Sequence, residues 1–215
     1  MLNKDLDQLV KEVSPVKIVA ATKYVDSSVM KDLLNHQITD FGENKVVDFL
    51  EKYEAIHDQR VTWHFIGHLQ TNKVKKMINL IDYLHSLDRI SLAEAIQKER
   101  HDVLDCFVEV NISGESSKTG LKIEEVTNFI LNLEKYDKIR VVGLMGMAEN
   151  TEDSTIIHQQ FHRLYELKNT IHNLKLGYAP CEYLSMGMSH DYKIAILEHA
   201  THLRLGSILF RNEGE

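Results

Sequence analysis

The stretch KIVAATKY, Lys17 to Tyr24, sets the frame for the whole chain. Ile18, Val19, Ala20 and Ala21 form a short apolar run with no helical spacing, which predicts a buried β-strand, and a lone lysine, Lys23, stands just past its end. A buried strand that stops at a lysine presents an amine at the rim of a sheet. Where such a rim is dry the ammonium is disfavoured, and the neutral amine is a nucleophile able to form a Schiff base with an aldehyde. A solvated lysine that merely closes a strand is the other reading of the same residues.

Working outward, Leu2, Leu6, Leu9, Val10 and Val13 recur at helical spacing, so an amphipathic helix precedes the strand and Pro15 ends it. Asp26 and Ser27 can cap a helix reaching Asn35, with Val29, Met30, Leu33 and Leu34 as its inner face. A strand at 40–42 and a helix at 44–56 follow. The alternation continues with strands at 62–68, from Tyr83, from Cys106, from Ile139, from Glu182 and at 202–210, separated by helical patterns, the longest at 155–173. Eight strands, each of the first seven followed by a helix, imply a parallel sheet, because parallel neighbours need crossover connections. We expect one domain over residues 1–215, a single (β/α)8 barrel preceded by an N-terminal helix. An open doubly wound sheet is the rival. In either fold the site belongs at the ends of the strands, where the loops converge.

The composition narrows the function. Of 215 residues 43% are hydrophobic and 27% charged, with 2 prolines and 10 glycines, which is the balance of a folded rather than a linker-rich chain. The net charge of -7 and the scattered lysines and arginines give no basic patch for nucleic acid. The charged N-terminus lacks the apolar core of a signal peptide, and no apolar run approaches the ~20 residues of a membrane span. Cys106 and Cys181 match no metal spacing, as expected of free thiols in a cytoplasmic protein.

The strand ends supply Lys23, Gly42-Glu43-Asn44, His64 to His68, Met145 to Met147, Ser185 to Ser189 and Arg204 to Ser207. Ser189 is expected to begin the helix after strand seven, where its hydroxyl and free N–H groups would make an anion site. Gly206 and Ser207, beyond Arg204, would let a phosphate approach the main chain, and loops after strands seven and eight often hold phosphate in such barrels. An ordinary N-cap and a packing glycine are the alternatives. His64 and His68 have no convincing third ligand, so we read structural histidines rather than a metal site. The segment GESSKTG departs from the GxxxxGK[ST] pattern and reads as a flexible loop. The methionines at 145, 147, 186 and 188 are expected to fill the barrel and a pocket wall.

Taken together, ATKY with Lys23, FGEN at 41–44, WHFIGHLQTNK at 63–73, VVGLMGM at 141–147, LSMGMSHD at 184–191 and the RLGSILF ending closely resemble the pyridoxal phosphate homeostasis proteins, the YggS/PROSC family. The resemblance covers nearly the whole chain. It implies a barrel like the N-terminal domain of bacterial alanine racemase, with pyridoxal 5′-phosphate (PLP) held as a Schiff base on Lys23 and its phosphate and ring held by Ser189, Arg204, Gly206 and Ser207. Asn44, His64 and Met147 complete the cofactor-binding set that it implies, and no catalytic residue is assigned. It further implies a regulator of vitamin B6 and amino-acid balance without established catalysis. Val47, His199, Ser207 and Arg211 depart from the family pattern, where Gln, Gly, Thr and Gly are usual. Ser207 keeps the hydroxyl; His199 and Arg211 are expected to reshape the mouth of the site.

An arginine facing the pyridine nitrogen cannot give up a proton, so the ring would be a weaker electron sink. A racemase also needs a second base, which alanine racemase draws from another domain and subunit, and we expect no such further domain here. A non-catalytic, monomeric PLP-binding protein that passes PLP to amines or apo-enzymes is therefore favoured. The alternatives are a PLP racemase or lyase of low activity using Tyr24 or a histidine, and a cofactor-free Schiff-base aldolase.

Overall fold

The computed structural model describes residues 2–23, 25–115 and 118–210. Among these, eight strands close in sequence order into a parallel barrel: β1 Lys17–Ala21, β2 Asp40–Glu43, β3 Thr62–Phe65, β4 Tyr83–Leu87, β5 Leu104–Val110, β6 Ile139–Gly146, β7 Tyr183–Ser185 and β8 His202–Leu205. Helix α1, Leu6–Val13, precedes β1. The crossovers carry α2 Ser27–Leu34, α3 Val46–Ala55, α4 Val74–Met77, α5 Ile90–Glu99, α6 Ile123–Leu131, α7 Ser154–His172 and α8 Tyr192–Leu197, and α9 Ser207–Phe210 follows β8. The expected (β/α)8 barrel with its leading helix is thus observed, and the open sheet is excluded by the pairing of β8 with β1, Val19 opposite Arg204 and Ala20 opposite Leu205.

Local chemistry explains the elements. Helix α1 buries Leu6, Leu9 and Val13, the predicted stripe, and the carboxylate of Asp26 caps α2 by accepting from the N–H groups of Ser28 at 2.9 Å and Val29 at 3.1 Å. Outward-facing strand residues meet the helices. Phe41 and Phe49 both pack edge-on against Trp63, at 5.8 and 5.4 Å between ring centres.

Three segments differ from the sequence reading, the first being the strand expected at 62–68, which stops at Phe65. The run at 202–210 is not one strand: β8 stops at Leu205 and Ser207–Phe210 is helical, because the chain turns at Gly206, where Leu209 donates to its carbonyl. Ser189 does not start a helix; α8 begins at Tyr192, and Ser189 sits in the loop before it.

The barrel interior is more polar than expected. Apolar filling comes from Phe107, Val142 and Met145, while Asp40, His64, His85, Ser185, His202 and Arg204 are buried beside them. Met186 is also buried, and Met147 and Met188 are half-buried.

Candidate functional site

At the C-terminal end of the strands a cavity of about 540 Å³ is lined by Ala21, Lys23, Val25, Met188, Ser189, His190, Arg204, Gly206, Ser207 and Phe210. Closure of β1 on β8 brings Lys23 beside Gly206, and the loop after β7 delivers Ser189 to the same place. The Ser189 hydroxyl oxygen accepts from the backbone N–H groups of Gly206 at 3.2 Å and Ile208 at 3.3 Å. Donors suited to an anion are thereby gathered at one wall. A Cβ at Gly206 would meet only Ala21, at 3.6 Å and beyond, so packing does not demand glycine there and its absent side chain leaves that wall open.

The opposite charge is supplied by Arg204, which is 5% exposed. Its guanidinium donates to the Ser185 carbonyl and hydroxyl, both at 2.7 Å, and to the Gly146 carbonyl at 3.0 Å. Burial pushes its pKa down to about 10, and the carboxylates of Asp191 and Glu109 oppose that fall, so the group stays charged at neutral pH. An amine, a guanidinium, two hydroxyls and backbone donors around one cavity suit an anionic carbonyl compound.

Five of the eight expected site residues therefore meet: Lys23, Ser189, Arg204, Gly206 and Ser207. Asn44, His64 and Met147 do not line this cavity. His64 is fully buried in the barrel with both ring nitrogens engaged, by Asp40 at 3.0 Å and His85 at 2.9 Å, which leaves no ring nitrogen for a ligand. His68 lies beyond β3 and faces Asp88 at 3.7 Å, so the two histidines are not a pair. Lys23 is exposed, at an open mouth rather than a dry rim. It also borders a second cavity of about 420 Å³, toward Asp48, Glu51 and Lys52. His199 sits in the turn entering β8, at the far end of the barrel from this cavity; it adopts φ 67°, the left-handed region that glycine prefers, and stacks on Tyr165 at 4.3 Å. It does not shape the mouth. Val47 is exposed, and Tyr24 and Arg211 lie outside the described residues.

Sequence reasoning missed the supports of the site. The Lys52 ammonium donates to the Thr22 carbonyl and to Glu43, each at 2.6 Å, and the Thr22 hydroxyl also bonds Glu43. His85 and Ser185 connect Arg204 to the barrel centre. Helical spacing placed Lys52 on α3, but nothing local told that it turns inward. Among the described residues no group of three or more His, Cys, Asp or Glu side chains could hold a metal ion, and no helix is long and apolar enough to cross a membrane.

The alanine racemase N-terminal domain family matches the chain over residues 2–213. A pyridoxal phosphate homeostasis protein of Aquifex aeolicus is 38% identical over 200 residues, 90% of this chain and 86% of that protein. Among solved structures, an unknown protein from Bifidobacterium adolescentis superposes with a TM-score of 0.89 at 27% identity, covering 95% of this chain and 92% of that one. PipY of Synechococcus elongatus with PLP bound gives 0.87 at 24% identity, covering 97% and 99%, a likeness that speaks for the fold. The barrel, the matched length and these relatives lead to one conclusion: the chain belongs to the alanine racemase N-terminal domain family, among the pyridoxal phosphate homeostasis proteins.

Proposed function

We propose that this chain binds PLP in the Lys23 cavity and serves PLP homeostasis as a carrier rather than a catalyst. The observation that supports it is the convergence of Lys23, Arg204 and the donors gathered on Ser189 around one cavity of about 540 Å³. When bound, the cofactor supplies an aldehyde that condenses with primary amines. Lys23 would be the amine that holds that aldehyde. Ser189, Ser207 and the N–H groups of Gly206 and Ile208 would hold the phosphate, and Arg204 would face the ring nitrogen. A guanidinium only donates hydrogen bonds, so Arg204 would keep that nitrogen an unprotonated acceptor, which disfavours carbanion chemistry. Exposure of Lys23 leaves a path by which an amine or an acceptor apo-enzyme reaches it. A cytoplasmic monomer without nucleic-acid or membrane partners completes the proposal.

The test is an absorbance spectrum of purified protein incubated with PLP, followed by borohydride reduction and peptide mass analysis. A visible band that disappears on reduction, with a pyridoxyl mass on Lys23, is expected. A protein that stays colourless and unmodified would overturn the reading. The catalytic alternative draws support from His190, whose half-exposed imidazole lines the same cavity and could move a proton. Deuterium exchange at Cα of an amino acid, lost in His190→Ala, would favour it over the carrier.

A further inference from the structure

A chain of hydrogen bonds crosses the barrel from Arg204 to Asp40. Arg204 donates to the Ser185 hydroxyl at 2.7 Å; Ser185 Oγ lies 2.8 Å from His85 Nδ1; His85 Nε2 lies 2.9 Å from His64 Nδ1; and His64 Nε2 lies 3.0 Å from Asp40 Oδ1. Strands β4 and β7 are not neighbours in the barrel, so the His85 to Ser185 bond spans its interior. His64, His85 and Ser185 are fully buried.

Arg204 fixes the bond at its own end, and the Asp40 carboxylate, with both imidazoles neutral, fixes the direction of the others. Arginine can only donate, so Ser185 Oγ accepts from it, which leaves the hydroxyl hydrogen available to His85 Nδ1. A neutral His85 accepting at Nδ1 carries its proton on Nε2 and donates to His64 Nδ1. His64 then carries its proton on Nε2 and donates to Asp40, a carboxylate held below the usual range by His64 and Lys17 against the opposing effect of burial. Running the chain the other way would bring an unprotonated His64 Nε2 against that carboxylate, two acceptors face to face. Burial lowers the pKa of both imidazoles, at His64 against the pull of Asp40 and at His85 more strongly, with the Arg204 charge adding to it there.

We propose that Asp40, His64, His85 and Ser185 are positioning residues, a one-way relay of hydrogen bonds that holds the Arg204 guanidinium at the wall of the Lys23 cavity. The relay moves no proton at its upper end, because arginine has none to release at neutral pH. It sets where the guanidinium points and keeps the Ser185 hydroxyl an acceptor for it. Its consequence for the cofactor rests on the PLP reading above.

The test uses the full chain labelled with ¹⁵N, in which long-range proton–nitrogen correlation reports imidazole tautomers. His64 and His85 are both expected as neutral Nε2–H forms at neutral pH; an Nδ1–H form or an imidazolium at either overturns the relay. PLP titration then compares His85→Phe with His85→Gln. The phenylalanine leaves Ser185 without its acceptor, and PLP affinity is expected to fall about tenfold with a shifted absorption band. Glutamine can accept from Ser185 and donate to His64, so it is expected to restore both. Equal losses in the two variants, or a phenylalanine variant with unchanged affinity and band, overturn the positioning role. A wild-type chain that takes up no PLP defeats the cofactor reading instead, and the tautomers alone then decide the relay.

Discussion

The ammonium of Lys52 sits 2.6 Å from the carbonyl oxygen of Thr22, the residue before Lys23. The same ammonium meets the fully buried carboxylate of Glu43 at 2.6 Å, so one cation ties the end of β1, the end of β2 and helix α3 together. Lys52→Met keeps most of the side-chain volume but strands the Glu43 charge. We expect a loss of about 3 kcal/mol in stability, read from urea denaturation, because removing one partner of a buried pair leaves the other uncompensated. An unchanged midpoint would show that the pair anchors nothing.

Ser189 occupies two backbone donors of the turn into α9, those of Gly206 and Ile208. Ser189→Ala releases both and removes a hydroxyl from the proposed phosphate seat. PLP affinity should fall about tenfold, from the loss of a hydrogen bond to a charged group, while thermal stability falls by about 1 kcal/mol. Titration by absorbance gives the first and a melting curve the second. A variant that binds PLP like the parent would move the seat elsewhere.

Histidines inside the barrel tie stability to pH. Burial, reinforced by His64 and Lys17, pushes His202 down to about 3, whereas in the unfolded chain it titrates near 6.5. Between those values the unfolded state binds a proton that the folded state does not, so stability rises with pH and is lost as pH falls below about 6.5. His202 alone contributes a slope of about 1.4 kcal/mol per pH unit in that window. His64 and His85 shift in the same direction. Glu109, raised by burial, runs the other way but is one group against three. Urea midpoints at about pH 7 and about pH 5 should differ accordingly, and equal midpoints would contradict neutral buried imidazoles.

Gly187 carries φ 93°, and a Cβ there would come within 2.6 Å of the Ala195 Cβ and 2.9 Å of Leu203. Its replacement therefore meets both a strained backbone and a filled space, in the loop that leads to Ser189. Gly187→Ala should cost about 2 kcal/mol or more in a denaturation experiment and lower PLP affinity along with it. Wild-type stability would mean that α8 shifts to make room.

What could be seen in the sequence was the alternation. Short apolar runs such as IVAA and helical stripes such as Leu6, Leu9 and Val13 carry their periods locally, and eight such pairs leave a barrel as the economical answer. Lys23, Arg204, Gly206 and Ser207 were legible because they sit at strand ends, which is where a parallel barrel must gather its loops. The segment after Leu205 misled because Ile208, Leu209 and Phe210 favour strands as much as helices, and the turn at Gly206 decided between them. His64 entered the expected cofactor-binding set through the family resemblance, while its position near the end of β3 read as structural. The direction of its side chain depends on register with Gly42 and Tyr83, and no local signal fixes register. The crossing from His85 to Ser185 joins residues 100 positions apart and is invisible until the barrel closes.

The seam between β1 and β8 sets an order of assembly. Lys17 pairs with His202 and Val19 with Arg204, so the first strand waits with one edge open until β8 has been made. Lys23 is made long before Ser189, Gly206 and Ser207, which line the same cavity. A nascent chain halted before β8 would hold the Lys23 amine without the proposed phosphate seat, whose donors meet it only when the ring is shut. If that seat is the PLP site, closure and cofactor capacity are gained in one non-local step, and any lesion that slows it exposes a hydrophobic strand edge and delays PLP loading together.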